Sequence, residues 1–201
     1  MSRFVLALIA TLCASVTFAA EPFRVGLILP LSGPFAGSIG RQVENGARLY
    51  LQTFGAEVAG QRIELIVKDD GGNADVTRRL AQELVTNERV DVLAGFGLTP
   101  LAFAAAPVAA RAQVPMIVMA AATSSITEQN GFVLRTSFTM AQNTVPLAQW
   151  AARQGMKKVV TLVSDYGPGQ DAEKAFVKAF SESGGMVADS LRAPLASPAF
   201  G

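Results

Sequence analysis

The chain is 201 residues long and carries 17 basic against 16 acidic side chains, with no histidine. That balance, without a basic run anywhere, offers no field for nucleic acid or an anionic membrane surface. The lack of histidine excludes Ser-His-Asp and Cys-His triads, His-containing zinc motifs and haem held by histidine, so most hydrolase chemistries fall away.

Residues 1–20 read as a secretory signal. Arg3 precedes an apolar run, 4–10, that continues through Leu12 and Val16 to the small-residue cluster Thr17-Phe18-Ala19-Ala20. The run falls well short of the about twenty apolar residues a spanning helix needs, and Glu21 and Arg24 follow at once, so no stable membrane anchor is expected. Cleavage falls after Ala19 or Ala20. The only cysteine, Cys13, lies inside this segment behind Leu12, which is not the small residue that a lipoprotein signal places there. The mature chain, expected free in the periplasm, then has neither disulfide nor thiolate.

Short β-type runs alternate with longer helical patterns, the signature of an α/β fold with a parallel sheet and helices on both faces. Strands are expected at 23–29, 62–68, 90–94, 115–119, 132–135, 158–163 and 186–191. VDVLA and PMIVM are apolar almost throughout, as strands buried on both faces are. Helical stripes join Val43, Ala47, Tyr50 and Phe54, then Val76, Leu80 and Leu84, with Asn73 as cap and Asn87 as end of the second helix. A third helix is expected to open with Thr99 as cap and Pro100 at its first position, and to kink at Pro107. Further helices cover 140–154, with Val145, Leu147 and Trp150 facing the core, and 169–183, with Ala172, Phe176 and Phe180. A boundary near 136–140 divides a first lobe, 21–137, complete with five strands, from the start of a second, 138–201, which holds only two. The apolar, proline-containing residues 193–201 lead into no further helix, and the chain is expected to be truncated.

In an open α/β sheet, ligands bind beyond the carboxyl ends of the strands. Four loops leave such ends. In Pro30-Leu31-Ser32-Gly33-Pro34-Phe35-Ala36-Gly37, Phe35 either walls an apolar ligand or packs in a strand-to-helix turn. Gly95-Phe96-Gly97-Leu98-Thr99-Pro100 begins like a dinucleotide fingerprint but has Pro100 where the third glycine belongs, so no nicotinamide cofactor is expected. The free amides of that helix N-terminus and the Thr99 hydroxyl suit a carboxylate instead, although Thr99 also serves as a cap. Ala120-Ala121-Ala122-Thr123-Ser124-Ser125 lets a ligand approach the backbone beside three hydroxyls. Ser164-Asp165-Tyr166-Gly167-Pro168-Gly169 offers an amphipathic ring. Asp69-Asp70-Gly71-Gly72-Asn73 lacks the spaced carboxylates and downstream glutamate of a calcium loop and reads as a turn, so no metal site is expected. There is no nucleophile elbow, no phosphate loop and no catalytic carboxylate pair, so the chain reads as a binding protein rather than an enzyme.

Six segments in order, LPLSGPFAGSIG, GARLYL, KDDGGN, VPMIVMAAATSS, FVLRTSF and VVTLVSDYGPGQD, make the chain resemble the leucine/isoleucine/valine-binding proteins of ABC importers. The similarity runs from Phe23 to about Pro194. It implies a type I periplasmic binding fold whose first lobe is complete and whose second is partial. By the same resemblance the ligand's carboxylate and amino group are held at Thr99, Ala121 and Thr123, and Tyr166 closes over the ligand from the second lobe. It further implies an amino acid or related carboxylate as ligand, ABC permease subunits in the inner membrane as partners, and no cofactor. GFGLTP and AAATSS are more apolar than the serine-rich loops of leucine binders, which points to a carboxylate with an apolar or aromatic body. A chain with half of a second lobe is expected to bind weakly, because closure needs contacts from both lobes. The alternative on the same fold is a ligand-sensing module feeding a receptor or regulator. A Rossmann-type oxidoreductase is opposed by the signal segment, the missing third glycine and the lack of histidine.

Overall fold

The computed structural model describes residues 21–195. The secretory signal expected at 1–20 and the residues from 196 onward lie outside the described residues. Eight strands and five α-helices follow one another: β1 (Phe23–Leu29), α1 (Arg41–Phe54), β2 (Glu57–Val58), β3 (Gln61–Asp69), α2 (Ala74–Thr86), β4 (Val92–Gly95), α3 (Thr99–Ala112), β5 (Met116–Val118), β6 (Val133–Arg135), α4 (Met140–Arg153), β7 (Lys158–Ser164), α5 (Gly167–Glu182) and β8 (Met186–Ala193). A π-helical turn, Ala36–Gly40, leads into α1, and a 3-10 turn, Ser124–Glu128, follows β5.

The first six strands form one sheet in the order β2-β3-β1-β4-β5-β6, parallel except for the short antiparallel β2, which the sequence pattern did not reveal. Alternation along β1 explains its two faces, since successive strand side chains point to opposite sides. Ile28 joins the cluster of Leu80, Ala81 and Leu84 from α2 and Ala102, Ala105 and Ala109 from α3. Leu27 and Leu29 point the other way, toward Val43 and Ala47 of α1. The alanines of α3 let it lie close against α2. Pro107 stands on the exposed side of α3, so the helix continues through it with its packed face intact.

Two expectations about helix faces need correction. Val43 and Ala47 pack, but Tyr50 and Phe54 are exposed and touch each other, with ring centroids 4.8 Å apart. Leu147 and Trp150 are likewise exposed, because α4 turns Ala148 and Ala151 toward Ala179 and Phe180 of α5, and only Val145 of the expected trio joins that cluster. Small residues at that crossing let the two helix backbones approach. Beneath them β7 and β8 form a separate two-stranded parallel sheet with α5 as its crossover. Arg192 of β8 pairs with the buried Glu173 of α5 at 2.6 Å.

The Asp69–Asn73 segment is a turn built by its own acids. Asp69 accepts the N–H groups of Leu31, Ser32 and Gly71, which fixes the loop leaving β1. Asp70, buried, accepts from Gly72 N–H and the Thr77 hydroxyl, while Asn73 caps α2 through the N–H groups of Asp75 and Val76.

Gly95→Ala is expected to destabilise the protein by ~2 kcal/mol or more, read as a shift of the urea unfolding midpoint. Gly95 has φ +111°, and a Cβ there would collide with the Ile28 carbonyl oxygen. A second expectation concerns pH. Desolvation raises the pKa of Asp69, but the Ser32 side chain and the N–H groups of Gly71, Leu31 and Ser32 outweigh it and hold the carboxyl below its ordinary value. A lowered folded pKa contributes stability above the unfolded value of about 3.9 and loses it as pH falls through the folded value. Asp69→Asn should therefore be less stable than the parent at neutral pH, with the gap closing in acid. Burial pushes Asp70 the other way, and the charge of Asp69 adds to that rise, so Asp69→Asn also removes this smaller repulsion and partly offsets the loss.

Candidate functional site

The chain leaves β4 through two residues of positive φ, Gly95 at 111° and Phe96 at 63°. For a bulky side chain this is a strained backbone, and it is held by its surroundings. The Phe96 ring is fully buried, its N–H donates to Ile28 O at 3.0 Å, and its carbonyl accepts from Ala121 N–H at 3.1 Å. Met119 N–H reaches Gly95 O at 2.8 Å. The exits of β4 and β5 are thus stitched side by side, which sets Thr99 against Thr123.

The two buried hydroxyls lie 2.8 Å apart in a hydrogen bond. Thr99 is the first residue of α3 and does not cap it; Leu98 stands at the cap position, Pro100 follows as the second helical residue, and no side chain caps the helix. The hydroxyl that a cap would use is engaged by Thr123 instead. In such a pair one hydroxyl donates and the other accepts, so the acceptor keeps a proton that it can offer to a third group.

Above the pair lies a cavity of about 140 Å³ lined by Ile39, Gly97, Leu98, Thr99, Ala120, Ala121, Ala122, Phe138, Met140, Tyr166 and Pro168. Three of the four residues singled out from the sequence, Thr99, Ala121 and Tyr166, share this wall, and Thr123 stands behind it through Thr99. No charged side chain lines it. Tyr166 occupies the cap position of α5, again without a side-chain cap, and α5 begins two residues earlier than its expected start at Gly169. Two helix N-termini with uncapped amides therefore meet at the cavity, each the positive end of a helix dipole. Burial raises the pKa of the Tyr166 phenol, which keeps it protonated and able to donate at neutral pH.

Phe35 takes the packing alternative: it leads into the π-helical turn beside Gly72 and does not line the cavity. Phe138 and Met140 also line it; Phe138 closes the FVLRTSF segment but was given no role in binding, and Met140 falls in the stretch read only as a lobe boundary. Also missed was the contact of Ser124 with Asp171, whose Oδ2 accepts both the Ser124 N–H at 3.0 Å and its hydroxyl at 2.8 Å. Their separation of 47 residues leaves no local pattern to find. Among the described residues no cluster of three or more acidic, cysteine or histidine side chains could hold a metal, and no helix is long and apolar enough to cross a membrane.

An uncharged cavity bordered by strand ends of a parallel sheet and by two helix N-termini is the place where open α/β folds bind ligands. A family profile described as periplasmic binding protein matches residues 22–201, and the chain belongs to that family. Its fold is the type I periplasmic binding fold. The chain is 44% identical over 191 residues to a Leu/Ile/Val-binding protein homologue of Brucella abortus, covering 94% of this chain and 48% of that protein. A Rhodopseudomonas palustris solute-binding protein of an ABC transporter, solved in complex with 3,4-dihydroxybenzoic acid, superposes with a TM-score of 0.86 at 51% identity, over 89% of this chain and 49% of that one. Another from the same species, in complex with 4-hydroxybenzoate, gives 0.85 at 45%, over 90% and 49%. The chain thus spans about half the length of the relatives it matches.

Thr99→Val leaves the buried Thr123 hydroxyl without its partner and should cost about 1–3 kcal/mol of stability, measured by urea unfolding. Thr123→Val should cost a similar amount, and the double variant less than the sum of the two.

Proposed function

We propose that the chain is the ligand-capturing part of a periplasmic solute-binding protein of an ABC importer, and that its ligand is a small carboxylate with an aromatic body. The observation that carries this reading is the uncharged cavity facing two uncapped helix N-termini and the threonine pair. Backbone N–H groups at helix starts hold an anion without a cationic side chain. The rest of the wall is Ile39, Leu98, three alanines, Phe138 and Met140, which suits a ring. Its volume supports the same reading, since an apolar cavity of about 150 Å³ accommodates benzene. An amino acid would bring an ammonium group to a wall that has no acidic side chain among the described residues, and burying an unpaired charge is costly.

Thr99, which accepts from Thr123, donates its own hydroxyl to the carboxylate, Ala121 lets the ligand reach the backbone, and Tyr166 covers it from the side of α5. Residues 21–137 supply the fixed wall and 138–201 the moving one. The ligand-loaded form would then be handed to ABC permease subunits at the inner membrane, after export directed by residues 1–20. The two Rhodopseudomonas palustris proteins with hydroxybenzoates support the aromatic carboxylate over the aliphatic amino acid.

Isothermal titration of the 201-residue chain with 4-hydroxybenzoate, benzoate and leucine tests the ligand class. Binding of the aromatic acids at lower concentration than leucine is expected, and a preference for leucine overturns the assignment. In Gly167→Ala the new Cβ would sit 3.1 Å from the Thr123 hydroxyl and 3.3 Å from Thr99 Cγ2. That variant should lift α5 off the threonine pair and weaken 4-hydroxybenzoate binding about ten-fold, while urea unfolding stays close to the parent.

A further inference from the structure

The Thr123–Ser124 segment is gripped from two sides by opposite charges. From β6, the Nη2 of Arg135 donates to the Thr123 carbonyl at 2.6 Å and to the Ser124 carbonyl at 3.4 Å. From the second turn of α5, Asp171 accepts both the N–H and the hydroxyl of Ser124 on one carboxylate oxygen. Among the described residues these two bonds are the only side-chain hydrogen bonds that tie α5 to the loops of the six-stranded sheet. The helix they anchor is the one whose start carries Tyr166 and Pro168 into the cavity wall. The segment they anchor ends at the hydroxyl that orients Thr99.

We infer that Asp171, acting through Ser124, is a positioning residue that couples the seating of α5 to the orientation of the Thr123–Thr99 hydroxyl pair, so that ligand capture and closure of the cavity depend on one clasp. The inference rests on the proposed binding role of that pair. A charged acceptor makes the bonds to Ser124 stronger than neutral ones, and a shared acceptor makes them hold or fail together. Arg135 keeps the carbonyl side of the segment fixed, and its Nε and Nη1 are buried without a protein partner, so Asp171 is the anion that balances it across the clasp. When α5 moves away, Ser124 loses both bonds at once while the Arg135 bonds remain. The threonine pair then loses its support on the side that faces the ligand.

The test uses the 201-residue chain with 4-hydroxybenzoate and leucine as probes. Asp171→Ala should weaken binding of whichever probe the parent takes by roughly ten-fold or more, through faster dissociation with association little changed. Asp171→Asn, which keeps one acceptor, should recover part of the loss. Ser124→Ala should weaken binding less, because its N–H remains. Combined with Asp171→Ala it should add almost nothing, as expected of two residues in one contact. Affinity of Asp171→Ala within about two-fold of the parent, or full additivity of the pair, overturns the clasp and leaves the ligand reading standing. A second readout needs no ligand: amide hydrogen exchange at Ser124 should be slow in the parent and fast in Asp171→Ala, with exchange in β1 and β4 unchanged as a check that the fold persists. Unchanged exchange at Ser124 overturns the clasp. A parent that binds neither probe but shows this difference in exchange overturns the ligand reading alone.

Discussion

Two consecutive residues of positive φ, Gly95 and Phe96, carry the chain from the buried end of β4 back over the end of β1, and the arrangement of the site depends on that reversal. Without it α3 would continue away from the sheet with its first amides in solvent. With it, those amides border the cavity, and the exits of β4 and β5 are joined through Phe96, Gly95, Met119 and Ala121. The strain at Phe96 is held in place by complete burial of its ring, so the hydrophobic core is what sustains the unusual backbone at the site.

The electrostatics follow from what the cavity leaves out. Because no charged side chain lines it, the field there comes from helix ends and hydroxyls, which are fixed by the backbone and do not titrate near neutral pH. A cation in the same place would bind an anion more strongly, but it would need a counter-charge whenever the site stood empty. Dipoles carry no such penalty. Arg135 and Asp171, which hold the Thr123–Ser124 segment from opposite sides, do not line the cavity.

Much of this was legible in the sequence because strands and loops follow local rules. The apolar runs around Leu27, Leu93 and Ile117 marked buried strands, and every strand but the short β2 lay within two residues of its expected position at either end. The loops at their carboxyl ends contained Thr99, Ala121 and Tyr166, which indeed share one cavity. Side-chain pairings across the fold were not legible. Thr99 looked like a cap because a threonine before Pro100 fits a helix start, and only the approach of Thr123 from the next loop changes what its hydroxyl does. Leu147 and Trp150 share a helical stripe with apolar neighbours, yet the smaller Ala148 and Ala151 win the interface because close packing against α5 favours them. Asp171 gave no sign at all, since one acid on a polar helix face resembles any other until Ser124 is seen beside it.

The two walls of the cavity differ in how firmly they are built. The wall from the six-stranded sheet stands on a continuous core running from α2 and α3 through β4 and β5. The wall from α5 rests on a small cluster, Ala148, Ala151, Ala179 and Phe180, and on a sheet of two strands in which Val160 and Leu162 remain exposed. Within the described residues α5 packs against α4 and is hydrogen-bonded to Ser124 of the first sheet's loops through Asp171. Ala121 of the first wall belongs to that continuous core, and its hydrogen bond to the buried Phe96 fixes the loop it stands on.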